Sequence, residues 1–285
     1  LNVDLKCILP RNNLQQNLHN GFYGYGSESY ENRHNDVTWN RENVEAVVAY
    51  RHVIKPEVSD VSVRGSVSKI WGHRPSYYYL EGVQTAYSES GGSPFIASVQ
   101  ADFKQKFKAG MLTAGAKLTY RSNDMYHQFY EGGEYSDAFS NDLLHTELIP
   151  AAYVLFSSKI GKKFTYKAGL RGEFSTVTLT SSHEGLDVRN NDFFVSPSLS
   201  GTLRLAENQD LSLAFSRRVG RPAYPQLNPY MSMVDATTFE QGNMYLQPER
   251  GTKVDLTYSI RSGGLKFFAD GYMNYTADYI SQITT

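Results

Sequence analysis

The 285 residues carry 28 Lys and Arg against 29 Asp and Glu, and a single cysteine, Cys7. This balance offers nucleic acid no basic surface, and one cysteine excludes both an internal disulfide framework and a cysteine metal cluster. The 21 Tyr, 15 Phe and 23 Gly point to an all-β protein with aromatics where apolar and wet surroundings meet.

The sequence has no apolar run near the roughly 20 residues of a membrane helix. Barrel strands need only about 9 to 11 residues each and alternate in polarity, so that absence leaves a membrane barrel open. Leu1 is not a methionine and follows no signal peptide, so the sequence is expected to begin at a processing boundary or an artificial cut.

In chain order, residues 1–9 read as a strand, 10–13 as a turn and 14–30 as a long strand leading into a polar loop at 31–41. Gly24-Tyr25-Gly26 has the glycines of a phosphate loop, but no strand–helix unit follows it. From Val44 onward the signal has period two. Phe95, Ala97, Val99, Ala101, Phe103 and Phe107 fall on one face of a strand, opposite Ser98, Gln100, Asp102, Lys104 and Lys106. The same division places Leu112, Ala114, Ala116, Leu118 and Tyr120 opposite Thr113, Lys117, Thr119 and Arg121. It recurs with Phe164, Tyr166, Ala168, Leu170 and Phe174 against Thr165, Lys167, Arg171 and Glu173, with Leu199, Leu203 and Leu205 against Arg204, and in the last two strands.

Soluble antiparallel sheets alternate as well, so the connections decide more. Short turns are predicted at 54–60, 107–111, 159–163, 206–210 and 261–265, and long loops at 72–94, 122–144, 176–192 and 219–251. Short and long alternate strictly, as they do when every second connection lies on one side of an outer membrane. The expectation is an all-β, antiparallel transmembrane β-barrel portion of about twelve strands, forming one domain over residues 1–285.

The stretch Phe215-Ser216-Arg217-Arg218-Val219-Gly220-Arg221-Pro222-Ala223-Tyr224-Pro225-Gln226-Leu227-Asn228-Pro229-Tyr230 carries a specific signal, as does Gly242-Asn243-Met244-Tyr245-Leu246-Gln247-Pro248-Glu249 after it. Together they resemble the C-terminal barrel of TonB-dependent outer-membrane receptors, in the subgroup described as outer-membrane beta-barrel family proteins. Tyr50 to Pro56 and Leu112 to Arg121 resemble that subgroup too. The resemblance implies a barrel of 22 strands around a plugged lumen, of which this sequence supplies about half, without the plug. It implies a receptor in the outer membrane of a Gram-negative bacterium that binds and imports a scarce nutrient: a siderophore, cobalamin, a peptide or a glycan. Its implied partners are outer-membrane lipid, the TonB energy-transducing complex acting through a plug, and a surface lipoprotein.

Within the motif, Arg217, Arg218 and Arg221 are expected near the outer end of a strand, where guanidinium forks hold loop carbonyls and carboxylates. Pro222, Pro225 and Pro229 stiffen the loop, Asn228 and Asn243 suit its turns, and Tyr224, Gly242 and Pro248 complete its base. Glu249 is the expected partner of one of these arginines. The motif serves a plain loop base more readily than direct ligand contact. Lys117, Arg121, Lys167, Arg171, Glu173 and Arg204 are expected to face the lumen, lining a path or holding a plug.

Other chemistry is weaker. The seven histidines fit no zinc motif, and Asp124, Glu131, Glu134, Asp137 and Asp142 lack calcium-loop spacing. His145 with Ser157 or Ser158, and His183 with Ser181, are the available serine–histidine pairs, without a nucleophile elbow. No enzyme activity and no cofactor are expected. The alternative is a soluble or surface-exposed β-domain that binds carbohydrate or protein through Tyr77-Tyr78-Tyr79 and Tyr126, Tyr130 and Tyr135.

Overall fold

A computed structural model describes the backbone of residues 2–8, 11–24, 27–181, 186–235 and 238–283, and the side chains of residue 4 and of residues 34–181, 187–231 and 240–283. The strands, in order, are β1 (Asn2–Ile8), β2 (Arg11–Gly24), β3 (Ser27–Lys55), β4 (Ser59–Leu80), β5 (Val83–Gly92), β6 (Phe95–Phe107), β7 (Gly110–Glu131) and β8 (Glu134–Tyr135). After a 3-10 turn at Asp137–Phe139 come β9 (Asn141–Ile160), β10 (Phe164–Ser181), β11 (Leu186–Ala206) and β12 (Gln209–Gly220). A one-turn helix α1 (Tyr224–Leu227), β13 (Ser232–Asp235) and β14 (Thr238–Glu240) precede β15 (Glu249–Ser262) and β16 (Leu265–Ala277).

Fourteen strands form one antiparallel sheet, in the order β1-β3-β4-β5-β7-β9-β10-β11-β12-β15-β16. β2 continues β1 along β3, and β6 continues β5 between β4 and β7. The chain thus makes an uninterrupted antiparallel meander, as expected. Among the described residues, β16 pairs only with β15, and β1 and β2 only with β3, so both sides of the sheet are open edges.

The register sorts the side chains. Ala97 lies opposite Tyr120 and Val67, and Tyr120 opposite Leu148, so these share one face. Gln100 lies opposite Lys117, and Lys117 opposite Ala151, on the other. The apolar face is the exposed one: Val99 is 58%, Leu118 48%, Leu170 50% and Leu213 49% accessible. A soluble sheet hides that face in its core, whereas a continuous exposed apolar wall requires a non-aqueous neighbour. Its apolar stretch covers residues 112–120 on β7, 148–156 on β9 and 166–174 on β10, about one bilayer crossing each.

The five tight turns fall where the sequence predicts them. Three of the four predicted long loops do not. β4 continues to Leu80 and returns as β5 through Glu81 and Gly82, both at positive φ. β7 continues to Glu131, and β10 to Ser181 with β11 returning from Leu186. These segments are tall hairpins, because above the apolar band the outward face meets water instead of lipid and carries polar residues and tyrosines. Alternation vanishes there while Tyr, Thr and Ser still suit an extended chain. The polar segment 31–41 belongs to β3 for the same reason. Of the four predicted long loops, the last is the one that leaves the sheet as a loop, between Gly220 and Glu249.

Candidate functional site

β12 and β15 pair up to Gly220 and Glu249, and the chain between them folds onto the polar face of β9 and β10. Pro225 in the first turn of α1 fixes the backbone of that turn, and Gln226 Oε1 accepts a hydrogen bond from the Ala223 N–H at 2.7 Å. Asn228 and Asn243 each turn the chain by accepting, on Oδ1, the N–H two residues on, from Tyr230 and Tyr245. The two arms of the loop are tied by Gly242 N–H to Asn228 C=O and Asn243 N–H to Gln226 C=O, both 2.7 Å. Gly242 is required by close approach, since a Cβ there would sit 2.5 Å from the Gln226 carbonyl oxygen. Leu227 and Met244 are buried against Leu143 and Leu179, and each burial contributes about 2 kcal/mol.

Arg221 is the electrostatic centre of the site. Its Nε lies 2.6 Å from Glu147 Oε1 on β9, and its Nη2 donates to Glu173 Oε1 on β10 at 2.7 Å. Arg121 Nη1 reaches Glu147 Oε2 at 3.1 Å, and Arg171 Nε reaches Glu173 Oε2 at 2.9 Å. Glu147 and Glu173 are 3% and 8% accessible, so neither is solvated. Three guanidiniums therefore hold two carboxylates, and the planar fork of Arg221 spans two strands as a lysine ammonium would not.

Between loop and sheet lies a cavity of about 310 Å³, lined by Arg121, His145, Glu147, Ser175 and Tyr224 among others. The His145 ring packs edge-on against Tyr224, with centroids 4.8 Å apart. His145 stands above the apolar band, and burial, followed by the Arg121 charge, pushes its pKa down to about 4. Burial raises the Tyr224 hydroxyl in turn. Both side chains are neutral at pH 7. His145 Nδ1 and Ser175 Oγ are buried without a hydrogen-bond partner among the described residues, so the cavity presents neutral polar atoms beside a charged cluster.

The structure corrects one pairing in the motif. Arg221 does not meet Glu249: its side chain crosses the polar face to β9 and β10. Glu249, opposite Gly220, instead accepts the Ile280 N–H at 2.7 Å. Arg217 and Arg218 are exposed, whereas Pro248 is buried. Lys117, Arg121, Lys167, Arg171, Glu173 and Arg204 all fall on the polar face by register. Lower on that face, Tyr153 donates to Asp102 and accepts from Gln100.

His145 and Ser157 stand far apart along β9, so they form no catalytic pair; His183 lies outside the described residues. No group of three or more His, Cys, Asp or Glu suited to a metal occurs among the described residues. Sequence reading missed Glu147 as a site residue. Its signal was available in the alternation of Leu143, His145, Glu147, Ile149 and Ala151 against Leu144, Leu148, Pro150 and Ala152.

Residues 61–285 match the model of the outer membrane protein beta-barrel family. No curated protein matches the chain. Among solved structures, the unliganded ferric citrate transporter FecA superposes with a TM-score of 0.64 at 11% identity, over 94% of this chain and 43% of that one. The ferric-catecholate import receptor Fiu from K12 E. coli gives 0.62 at 10%, over 98% and 58%. BauA, the ferric preacinetobactin receptor from Acinetobacter baumannii, gives 0.56 at 10%, over 92% and 46%. The chain spans about half the length of these structures.

Proposed function

Because the chain belongs to the outer membrane protein beta-barrel family and resides in the outer membrane of a Gram-negative bacterium, we propose that it forms part of the wall of a TonB-dependent receptor that imports a scarce nutrient. The observation that carries this reading is the inward-folded loop, held over the polar face by Arg221 between Glu147 and Glu173. A wall that only sealed a membrane would have no need of buried charges beneath a stiffened loop, since such clusters are costly unless fully paired. Open sheet edges do not persist in lipid, so further strands close both sides of the sheet. The closed barrel is wide enough to enclose a plug, through which TonB delivers energy.

The ferric citrate transporter and the ferric-catecholate and ferric preacinetobactin receptors whose fold the chain shares favour a chelated metal as the nutrient. The chemistry of this wall is binding and passage rather than catalysis. The test is growth of cells lacking the protein on ferric chelates, cobalamin, peptides or glycans as the sole source of iron, cobalamin or carbon. One nutrient should require both this protein and TonB. Unimpaired growth on all of them, with no energy-dependent uptake, would remove the reading.

A further inference from the structure

The tyrosines of the tall hairpins have no part in the site described above. Tyr77 on β4, Tyr87 on β5 and Tyr130 on β7 lie directly opposite one another, and Tyr135 on β8 continues the row. Successive ring centroids are 5.0, 5.9 and 5.6 Å apart. Register decides which way the row faces. Ala97 pairs with Tyr120 on the apolar face, and the same alignment continues up the ladder through Gly91 with Tyr126 to Tyr87 with Tyr130. The row therefore stands on the side of the wall that meets lipid lower down. The other side of these hairpins is closed by Tyr78, Ala86, Phe129 and Phe139.

Height follows from the strand rise. Tyr87 lies eight positions beyond Phe95, the last apolar residue of its strand's outward face, about 26 Å along the chain and, at the usual barrel tilt, roughly 20 Å above Phe95. That level lies above the outward-facing Trp71 and Tyr126, the aromatics nearer the apolar band. Beneath the row, Glu89 accepts hydrogen bonds from the hydroxyls of Tyr87 at 2.9 Å and Tyr126 at 3.3 Å, with His73 Nδ1 3.5 Å away. Among the described residues, the row carries no lysine or arginine. Tyr77 and Tyr135 are 38% and 49% accessible, so ring faces are presented outward.

We propose that this face binds the sugar headgroups of the glycolipid that forms the outer leaflet. Sugar rings expose C–H faces that stack on tyrosine, and their hydroxyls suit the Glu89 carboxylate and the phenolic hydroxyls. The row is continuous with the lipid-facing wall, so the glycolipid already packed against that wall brings its own sugars to this height. A site without lysine or arginine among the described residues fits neutral sugars better than phosphates. The inference rests on the outer-membrane location and not on nutrient import.

The test purifies the protein from outer membranes whose glycolipid carries its complete core oligosaccharide, and from membranes in which it is cut back to lipid A and its first sugars. Glycolipid retained through detergent washes is then weighed by mass spectrometry. The complete form should be retained roughly three- to tenfold better than the truncated one, and Tyr77→Ala with Tyr130→Ala should abolish the preference. Core oligosaccharide freed of its lipid should also give saturation-transfer signals with the parent protein and none with the variant. Equal retention of both glycolipids by the parent protein overturns the proposal, as does a bound protein partner that follows the tyrosines whatever the sugar length. Should the double variant fail to fold, the two glycolipids on the parent protein still decide.

Discussion

Replacing Arg221 with alanine removes the cation shared by Glu147 and Glu173 while leaving each carboxylate one arginine. Breaking a buried ion pair from one side commonly costs about 3–5 kcal/mol. Because Arg121 and Arg171 remain, we place the cost at or just below the bottom of that range, about 2–3 kcal/mol, borne by the attachment of the loop rather than by the sheet. At about 1.4 kcal/mol per factor of ten, the loop at residues 221–248 should open roughly 30- to 150-fold more often. Hydrogen exchange read by mass spectrometry on the detergent-solubilised protein measures this directly. The N–H groups of Gly242 and Asn243, which tie the loop arms together, should lose protection while those of β10 keep it. Arg221→Lys should fall between, since an ammonium replaces the charge but not the fork. Unchanged protection at Gly242 and Asn243 in Arg221→Ala would refute the clamp.

Gly242→Ala forces a Cβ against the Gln226 carbonyl and should loosen the same loop by about 1–3 kcal/mol, seen as lost exchange protection in residues 221–248 alone. His145 binds its proton less readily folded than unfolded, so its contribution is complete above about pH 6.5 and is lost as pH falls towards 4, by up to about 3 kcal/mol. Loop protection should therefore decline between pH 6.5 and 5, and His145→Gln should flatten that slope. On the apolar face, Leu170→Arg should weaken insertion into bilayers by about 2–4 kcal/mol, measured by folding into vesicles, whereas Lys117→Gln on the polar face should insert normally.

The strand pattern was legible wherever one face meets lipid. Phe95 to Phe107 alternates in the sequence and forms β6 with its apolar residues on the exposed face. Legibility ended at the top of the apolar band. Above it Tyr77, Ser88 and Tyr130 belong to strands whose two faces do not contrast in polarity, so hairpins read as loops. The loop motif announced its rigidity through Pro222, Pro225 and Asn228. It did not announce the partners of Arg221, because Glu147 and Glu173 lie dozens of residues earlier and are brought to it only by the β9–β10 register and the inward fold of the loop. Glu249, nearest in the motif, was the natural guess, and the direction of one side chain decides against it.

The central claim is that one face of this sheet meets lipid and the other lines a wet lumen. It is tested most directly by nitroxide labels placed one at a time along residues 166–174 and 195–203 of the protein in bilayers. Oxygen should broaden the labels at 166, 168, 170, 172 and 174 on the first strand and 195, 197, 199, 201 and 203 on the second, and a water-soluble nickel chelate should broaden those between them. Equal access of the nickel chelate to every label would contradict the account and return the apolar face to an ordinary soluble interface.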